Sequence, residues 1–490
     1  MIGSPSIAPV RRRSSRIGLY AAAVLYATAF LAYAESMAFH FDETYHLLAA
    51  QLILAGKRPY VDFCFPQAPF NAYWNALWMA LFGQTWRVAH AAAALATIGA
   101  VLLMADYAAR RFPRGEWRIT AATAGIVIGL SPVVFSFGSV AQPYGICLLA
   151  LTAAFRCAVC AVERESARCT AAAGLFAGVA AASSLLTAAA VPVLLAWILV
   201  CRRAGRRVTK ALAFLSAAAL PFAPALWLFV LSPRATWFNL VEYHLFYRRL
   251  YWPDPAGHDF EVLTSWLESA PALVLGLLAV CGWLYVLRHS DWPRPVQAEL
   301  RLCAWLALGI AAEVAFARPT FEQYFLLIVP FLAVPAAAGM YALAMRVLAP
   351  RYGMAPVLAV AALFSLSLVR FLYEEPDNAD WSAYERVARQ VDSVTPPDAP
   401  VFATEPIYFL TRRTPPSGLE LYYTHLLDLP PAQRALFHLL TYDDLRGQLH
   451  AGRFATAYES ENDTVRFDLG RLYRHSKKMD DCTVYWDFRK

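Results

Sequence analysis

Charge is scarce in this chain: Asp, Glu, Lys and Arg make up 16% of its 490 residues, where a soluble domain carries about a quarter. With 59% hydrophobic residues and a mean hydropathy of +0.42, that scarcity excludes a soluble enzyme, a disordered chain and a small secreted scaffold, and leaves an integral membrane protein. The net charge of +7 does not imply nucleic acid, because cytoplasmic Lys/Arg anchors give a membrane protein the same balance. Cysteine spacing typical of zinc or redox sites is lacking. Cys147, Cys157, Cys160, Cys169, Cys201, Cys281 and Cys303 fall in or beside apolar runs, where a thiol packs as a small hydrophobe. Internal repeats are lacking too, which weighs against inverted-repeat transporter folds.

What is present is a series of apolar runs. A spanning helix needs about 20 mostly apolar residues, and that ruler finds eleven candidates: 17–34, 87–109, 119–137, 143–162, 169–185, 187–201, 209–231, 270–287, 301–317, 322–345 and 354–373. With the amino end inside, the short inner loops receive Arg11 to Arg16, Arg110 to Arg118, Arg164 and Arg168, Arg202 to Lys210, Arg288 to Arg301, and Arg346 with Arg351. The outer loops are longer and less basic, as the positive-inside rule requires. Arg11 to Arg16, the first apolar run and Ala32-Tyr33-Ala34 also have the form of a cleavable signal peptide, but removing that span would invert the charge pattern. The predicted fold class is therefore an all-α polytopic membrane protein of about 11 transmembrane helices with a small soluble α/β C-terminal domain. Its parts are a cytoplasmic segment 1–16, a membrane domain 17–373 with outer loops at 35–86 and 232–269, and an extracytoplasmic domain 374–490. In the last, Trp381, Tyr384, Val387, Ala388, Val391 and Val394 recur at helical spacing, while Val401 to Thr404, Phe454 to Tyr458 and Thr483 to Phe488 read as strands.

Polar chemistry concentrates in the outer loops. Asp42 and Glu43 follow the first span at the start of a helix whose predicted apolar stripe is Tyr45, Leu48, Ala49, Leu52 and Ile53. Two readings stand side by side: Asp42 caps that helix and Glu43 complements its dipole, or the pair does chemistry, with His46 one turn on. A Pro-rich extended segment, Pro59 to Pro69, leads into Phe70 to Phe82, which reads as an interfacial aromatic helix. The second loop supplies Glu242 to Arg249, with His244 and Arg248 at i and i+4 on one helical face. Arginine's planar fork suits phosphate oxygens, although a basic anchor at lipid headgroups has the same composition. Near the ninth span, Glu313 is read as pairing with Arg318 or snorkelling outward, and Glu322, Gln323 and Tyr324 follow. Asp106 and Arg110 read as a plain i, i+4 ion pair.

The acidic pair after the first span, the helix behind it, the turn Gly56 to Asp62 and the Pro-Gln-x-Pro segment Pro66 to Pro69 resemble the GT-C membrane glycosyltransferases. The branch is that of family 39, the protein mannosyltransferases, the aminoarabinose transferase and the rhizobial lipid A galacturonosyltransferases. The likeness in motifs is confined to about residues 39 to 75, with weaker echoes at Tyr243 to Arg249 and Phe321 to Pro330. It implies a sugar transferred with inversion from a polyprenyl-phosphate donor to a glycolipid (lipid A or core), glycan or protein acceptor, on the periplasmic side of a bacterial inner membrane. Asp42 and Glu43 are then the catalytic candidates. His244, Arg248, Arg249, Lys57 and Arg58 are candidates for the donor phosphate, and His46, Asp62, Gln67, Glu322, Gln323 and Tyr324 for positioning substrate. Many relatives carry a second acid in the outer loop between the third and fourth spans, where this chain has only Gln142. No cofactor is therefore expected, and a divalent cation, which wants several carboxylate or carbonyl oxygens, lacks support. A transporter or lipid flippase, and an inactive accessory relative, are the competing classes.

The charge pattern makes a direct prediction. A cysteine introduced at Asn462 is expected to react with an impermeant thiol reagent in intact spheroplasts, and one at Arg206 is not; the reverse labelling would overturn the amino-end-inside topology.

Overall fold

Inside a bilayer every backbone N–H and C=O must be satisfied within its own segment, so the apolar runs fold as helices. The computed structural model describes residues 10–112, 124–125, 129–201, 207–252, 254–288, 292–344, 355–374, 380–461 and 466–489, with the side chains of residues 10–17, 249, 251, 374 and 423 outside that description. Among the described residues, six helices are long and apolar enough to cross a membrane: Gly18–Ser36, Trp86–Arg111, Tyr144–Glu163, Arg207–Leu231, Ala270–Arg288 and Ala355–Tyr373. Ala167–Ser183, Leu185–Val200 and Val329–Ala342 are apolar but shorter. Arg294–Phe316 has the length, 23 residues, but carries Glu299, Arg301 and Glu313. Most of the run expected at 119–137 lies outside the described residues, as do Arg114, Arg118, Arg202, Arg203, Arg206, Arg346, Arg351 and Asn462.

The shortening has local causes. Between Ala167–Ser183 and Ala190–Val200 the chain makes a 3-10 turn, Leu185–Thr187. There the Ser183 and Thr187 hydroxyls donate back to the Val179 and Ser184 carbonyls at 2.8 and 2.9 Å, a pattern that competes with helical bonding. Pro221 and Pro224 lie at a second 3-10 turn, Leu220–Phe222, within Arg207–Leu231.

Association between spans in lipid relies on close packing of small residues. Gly174 and Gly178 of Ala167–Ser183 lie against the backbone of Arg207–Ala219, so closely that a Cβ on either would stand 2.1 Å from the Phe214 oxygen or 2.2 Å from the Ala218 oxygen.

The long loop after the first span is built differently from its sequence pattern. Glu43–Leu54 is helical, but Glu43, Thr44, His46, Leu47 to Gln51 and Leu52 are all buried, so the predicted one-sided stripe is corrected to a helix enclosed on nearly every face. The covering mass is the C-terminal region. There Trp381–Val394 packs beside a four-stranded sheet of order β1-β2-β4-β3, with β1 Val401–Phe402, β2 Thr456–Ser460, β3 Tyr473–Met479 and β4 Cys482–Phe488. β1 and β2 run parallel, and β4 pairs antiparallel with β2 and β3. One apolar core joins this sheet to the outer loops: Leu48, Leu52, Phe63 and Phe65 pack with Ile407, Tyr408 and Leu427, and Phe238 stacks on Phe437 at 4.0 Å. Phe70–Phe82 is helical with the predicted ends. Its Asn71 and Asn75 amides donate to the Ala141 carbonyl at 3.0 and 2.8 Å.

Gly178→Val is expected to destabilise the chain by about 1–3 kcal/mol through overpacking against a backbone that cannot yield. Thermal unfolding in detergent checks it. Gly276→Ala, where a new Cβ meets nothing within 4 Å, is expected to leave the midpoint unchanged or slightly raised.

Candidate active site

The two adjacent acids have opposite surroundings. Helical geometry separates neighbouring side chains by about 100°, so one turns into the protein and the other toward the loops. Glu43 is fully buried, and its carboxylate accepts four hydrogen bonds. Oε2 takes His90 Nε2 at 2.7 Å and the Ala141 amide at 2.9 Å. Oε1 takes the Trp381 indole at 2.9 Å and the His40 amide at 3.2 Å. These donors come from the span Trp86–Arg111, the loop before Tyr144–Glu163, the C-terminal region and the first loop itself. Both Glu43 oxygens are thereby occupied by protein donors, which corrects the expectation that Glu43 faces a substrate.

Asp42 is only half-buried and has no hydrogen-bond partner among the described residues. Its backbone is already helical (φ −63°, ψ −17°), and its side chain makes no cap hydrogen bond, so the capping reading is not met. Its charge acts instead on the aromatic residues around it. Burial holds the Tyr45 phenol well above its ordinary range; Asp42 and Tyr324 push the same way and Arg248 opposes them. Tyr144 lies within the field of the same groups. Across the domain boundary, Glu405 is buried at the start of Glu405–Thr411. Its carboxyl is pushed up to about 7, by burial first and by Asp42 in smaller part.

Arg248 supplies the opposite charge. Its guanidinium donates to the Tyr324 hydroxyl and lies 5.0 Å from the Phe321 ring centroid, within cation–π range. Burial works against its charge, but Tyr324 and then the Tyr243 and Tyr45 phenols outweigh it and hold the guanidinium above its already high range. The segment is not the α-helix read from i, i+4 spacing. Phe238–Tyr247 is a π-helix, followed by the 3-10 turn Arg248–Tyr251, so the helix changes type between His244 and Arg248. π-segments occur often at functional sites.

The other candidates divide. His244 is pushed down to about 4 by burial and by Arg248, so near neutral pH it is an uncharged imidazole and not a phosphate-neutralising cation. His46 is buried and pushed down to about 3 by desolvation; its Nδ1 accepts from the Asn71 amide at 3.3 Å. Arg58 and Asp62 engage each other through two guanidinium hydrogen bonds of 2.8 and 2.9 Å, which withdraws both from the roles expected of them. Lys57 acts electrostatically on the buried Glu420. The Gln67 carbonyl accepts from the Tyr60 hydroxyl at 2.5 Å. Gln323 and Tyr324 are buried and Glu322 is exposed, while the Arg249 side chain lies outside the described residues. Glu313 accepts from the Ala189 amide at 2.8 Å, and Arg318 reaches Asp259 at 3.8 Å, which corrects the Glu313–Arg318 pairing. Asp106 and Arg110 do pair, at 2.6 Å. Cys64 and Cys482 are not joined to each other: the Cys64 thiol donates to Asn239 Oδ1 at 3.4 Å and the Cys482 thiol to the Met479 carbonyl at 3.1 Å.

No protein-family model matches the sequence, and no curated protein sequence matches it. Solved structures do match. ArnT from Cupriavidus metallidurans, in a crystal structure bound to undecaprenyl phosphate, is similar over 96% of this chain and 97% of its own, with a TM-score of 0.69 at 16% identity. The fold is GT-C. The archaeal oligosaccharyltransferase AglB from Archaeoglobus fulgidus is similar over 91% of this chain and 70% of its own, with a TM-score of 0.54 at 12% identity. The mycobacterial arabinofuranosyltransferase AftD covers all of this chain with 42% of its own length, with a TM-score of 0.57 at 15% identity. A GT-C fold makes the chain a multi-pass membrane protein, and the site above is where its long loops meet the C-terminal region.

His90 and Trp381 were not legible as site residues. Trp381 appears in the sequence only as one position of an amphipathic stripe, and His90 sits in an alanine-rich span with Arg87, one turn earlier, but no carboxylate near it in sequence. Glu43→Gln keeps the size but replaces one acceptor oxygen by a donor, so two of the four bonds are lost. At about 1.5–3 kcal/mol for each hydrogen bond to a charged group, it is expected to loosen the C-terminal region markedly, with Trp381→Phe losing one such bond. Limited proteolysis and thermal unfolding measure both, and unchanged stability in Glu43→Gln would overturn this account.

Proposed function

We propose that this chain is an inverting glycosyltransferase that moves a sugar from a polyprenyl-phosphate carrier to an acceptor outside the bacterial cytoplasmic membrane. One observation carries the reading: within a GT-C fold, a carboxylate without a partner among the described residues and a half-buried guanidinium act on the same tyrosine, Asp42 from one loop and Arg248 from another. Eleven spans with the amino end inside would place this group on the outer face. The undecaprenyl phosphate of the ArnT structure and the dolichol-phosphate of the AglB structure support a polyprenyl-phosphate donor. The acceptor would be lipid A or core sugar, another envelope glycan or a protein.

The chemistry needs a base for the acceptor proton and positive charge for the departing phosphate. Asp42 takes the proton as the acceptor oxygen attacks the anomeric carbon. The bond from that carbon to the phosphate oxygen breaks on the opposite side, and a single displacement inverts the configuration. Arg248 holds the leaving phosphate. Because Tyr324 accepts from Arg248, its own hydroxyl proton is left to donate to a phosphate oxygen. Glu43 is a positioning residue that fixes the helix carrying Asp42. Glu43, engaged by four protein donors, is not free to ligate a divalent cation.

Asp42→Asn keeps the shape and cannot take a proton. It is expected to lower turnover roughly 10² to 10⁴-fold with stability and donor binding near normal, because Asp42 makes no hydrogen bond among the described residues. Arg248→Ala is expected to weaken donor binding as well. Transfer from labelled polyprenyl-phosphate sugars in membranes measures both, and undiminished transfer by Asp42→Asn would overturn Asp42 as the base.

A further inference from the structure

At the end of the spans remote from Asp42, a cavity of about 640 Å³ opens between the last turns of Trp86–Arg111 and Tyr144–Glu163 and the first turn of Ala167–Ser183. Along Trp86–Arg111, at about 1.5 Å per residue, the lining from Leu103 to Arg111 lies roughly 20–30 Å beyond His90, which bonds Glu43 of the acidic pair. Leu103, Val159 and Ala172 give it an apolar lining, and five arginines surround it. Three are matched to carboxylates: Arg110 and Arg156 share Asp106 at 2.6 and 2.9 Å, and Arg111 bonds Glu163 and, at 2.8 Å, Glu299. Arg164 and Arg168 are exposed and have no carboxylate partner among the described residues.

Arg168 is also placed against local preference. Ser166 caps Ala167–Ser183, accepting from the Cys169 amide at 3.2 Å, so Arg168 stands in the first turn of a helix that has no acidic residue there. Its charge adds to the positive end of the helix dipole instead of offsetting it. Arg164, at the C-terminal end of Tyr144–Glu163, faces the same opening. The result is surplus positive charge beside an apolar recess at the edge of a membrane domain.

We propose that this cavity binds the anionic phosphate headgroup of a membrane lipid, with Arg164 and Arg168 on the phosphate oxygens and the apolar lining against the start of an acyl chain. Basic pockets between spans are a recurring form of headgroup recognition, and the guanidinium fork suits phosphate. Free phosphate offers the same oxygens but no chain to fill the apolar part.

The test uses the full chain in neutral detergent and follows thermal unfolding on addition of short-chain phosphatidylglycerol, short-chain phosphatidylcholine or inorganic phosphate. Phosphatidylglycerol is expected to raise the midpoint with a concentration dependence at least tenfold weaker in the Arg164→Ala/Arg168→Ala double variant, while phosphatidylcholine acts equally weakly on both. The arginines are exposed and unpaired, so the double variant should fold, and its unliganded midpoint verifies that. An equal response of wild type and double variant to phosphatidylglycerol would overturn the site. Full stabilisation by inorganic phosphate alone would overturn the lipid assignment and leave a simple phosphate site.

Discussion

The meeting of the long loops with the C-terminal region is organised around one buried carboxylate. Desolvating an ion costs several kcal/mol even after relaxation, and Glu43 recovers that cost only because four donors from four parts of the chain converge on two oxygens. Charge-assisted hydrogen bonds are about twice as strong as neutral ones, and an unmatched buried charge is far worse than either. The arrangement therefore behaves as a unit: the helix Glu43–Leu54, the span carrying His90, the turn at Ala141 and the helix beginning at Trp381 are held to each other through a single side chain.

That fixation gives the neighbouring Asp42 its chemical meaning. A residue beside one so pinned has little freedom to drift, so its carboxylate stays within electrostatic reach of Tyr45 and Tyr144 without a hydrogen bond of its own among the described residues. Arg248 is fixed by other means, an aromatic face and one phenol, on the 3-10 turn that follows a π-helix joined to the same apolar core as the C-terminal sheet. Two oppositely charged groups are thus presented by separate rigid supports, with the proposed leaving group and proton acceptor kept apart.

Local sequence carried a good part of this and failed where partners are distant. Apolar runs, the acidic pair, the aromatic helix Phe70–Phe82 and the regions of β1, β2 and β4 were legible because hydropathy and alternation act over a few residues. β3 was not: Tyr473–Met479 is a sheet-edge strand with Arg474 to Lys478 exposed, and it presents no apolar alternation. The difference between Asp42 and Glu43 was not legible either, since the side-chain and loop donors to Glu43 lie 47, 98 and 338 residues away. The Arg58–Asp62 pair, four residues apart, was available to an i, i+4 reading, but in a turn that spacing gave no warning that the two would satisfy each other.

The longest of those separations also sets a clock. Ribosomes add roughly 5–20 residues per second, so Trp381 leaves the ribosome on the order of 20–70 s after Glu43. Throughout that interval the first loop must wait beside the membrane with its central carboxylate one donor short and its apolar helix uncovered. A newborn chain therefore spends its most vulnerable interval with this cluster unfinished, until the region that begins at Trp381 closes it.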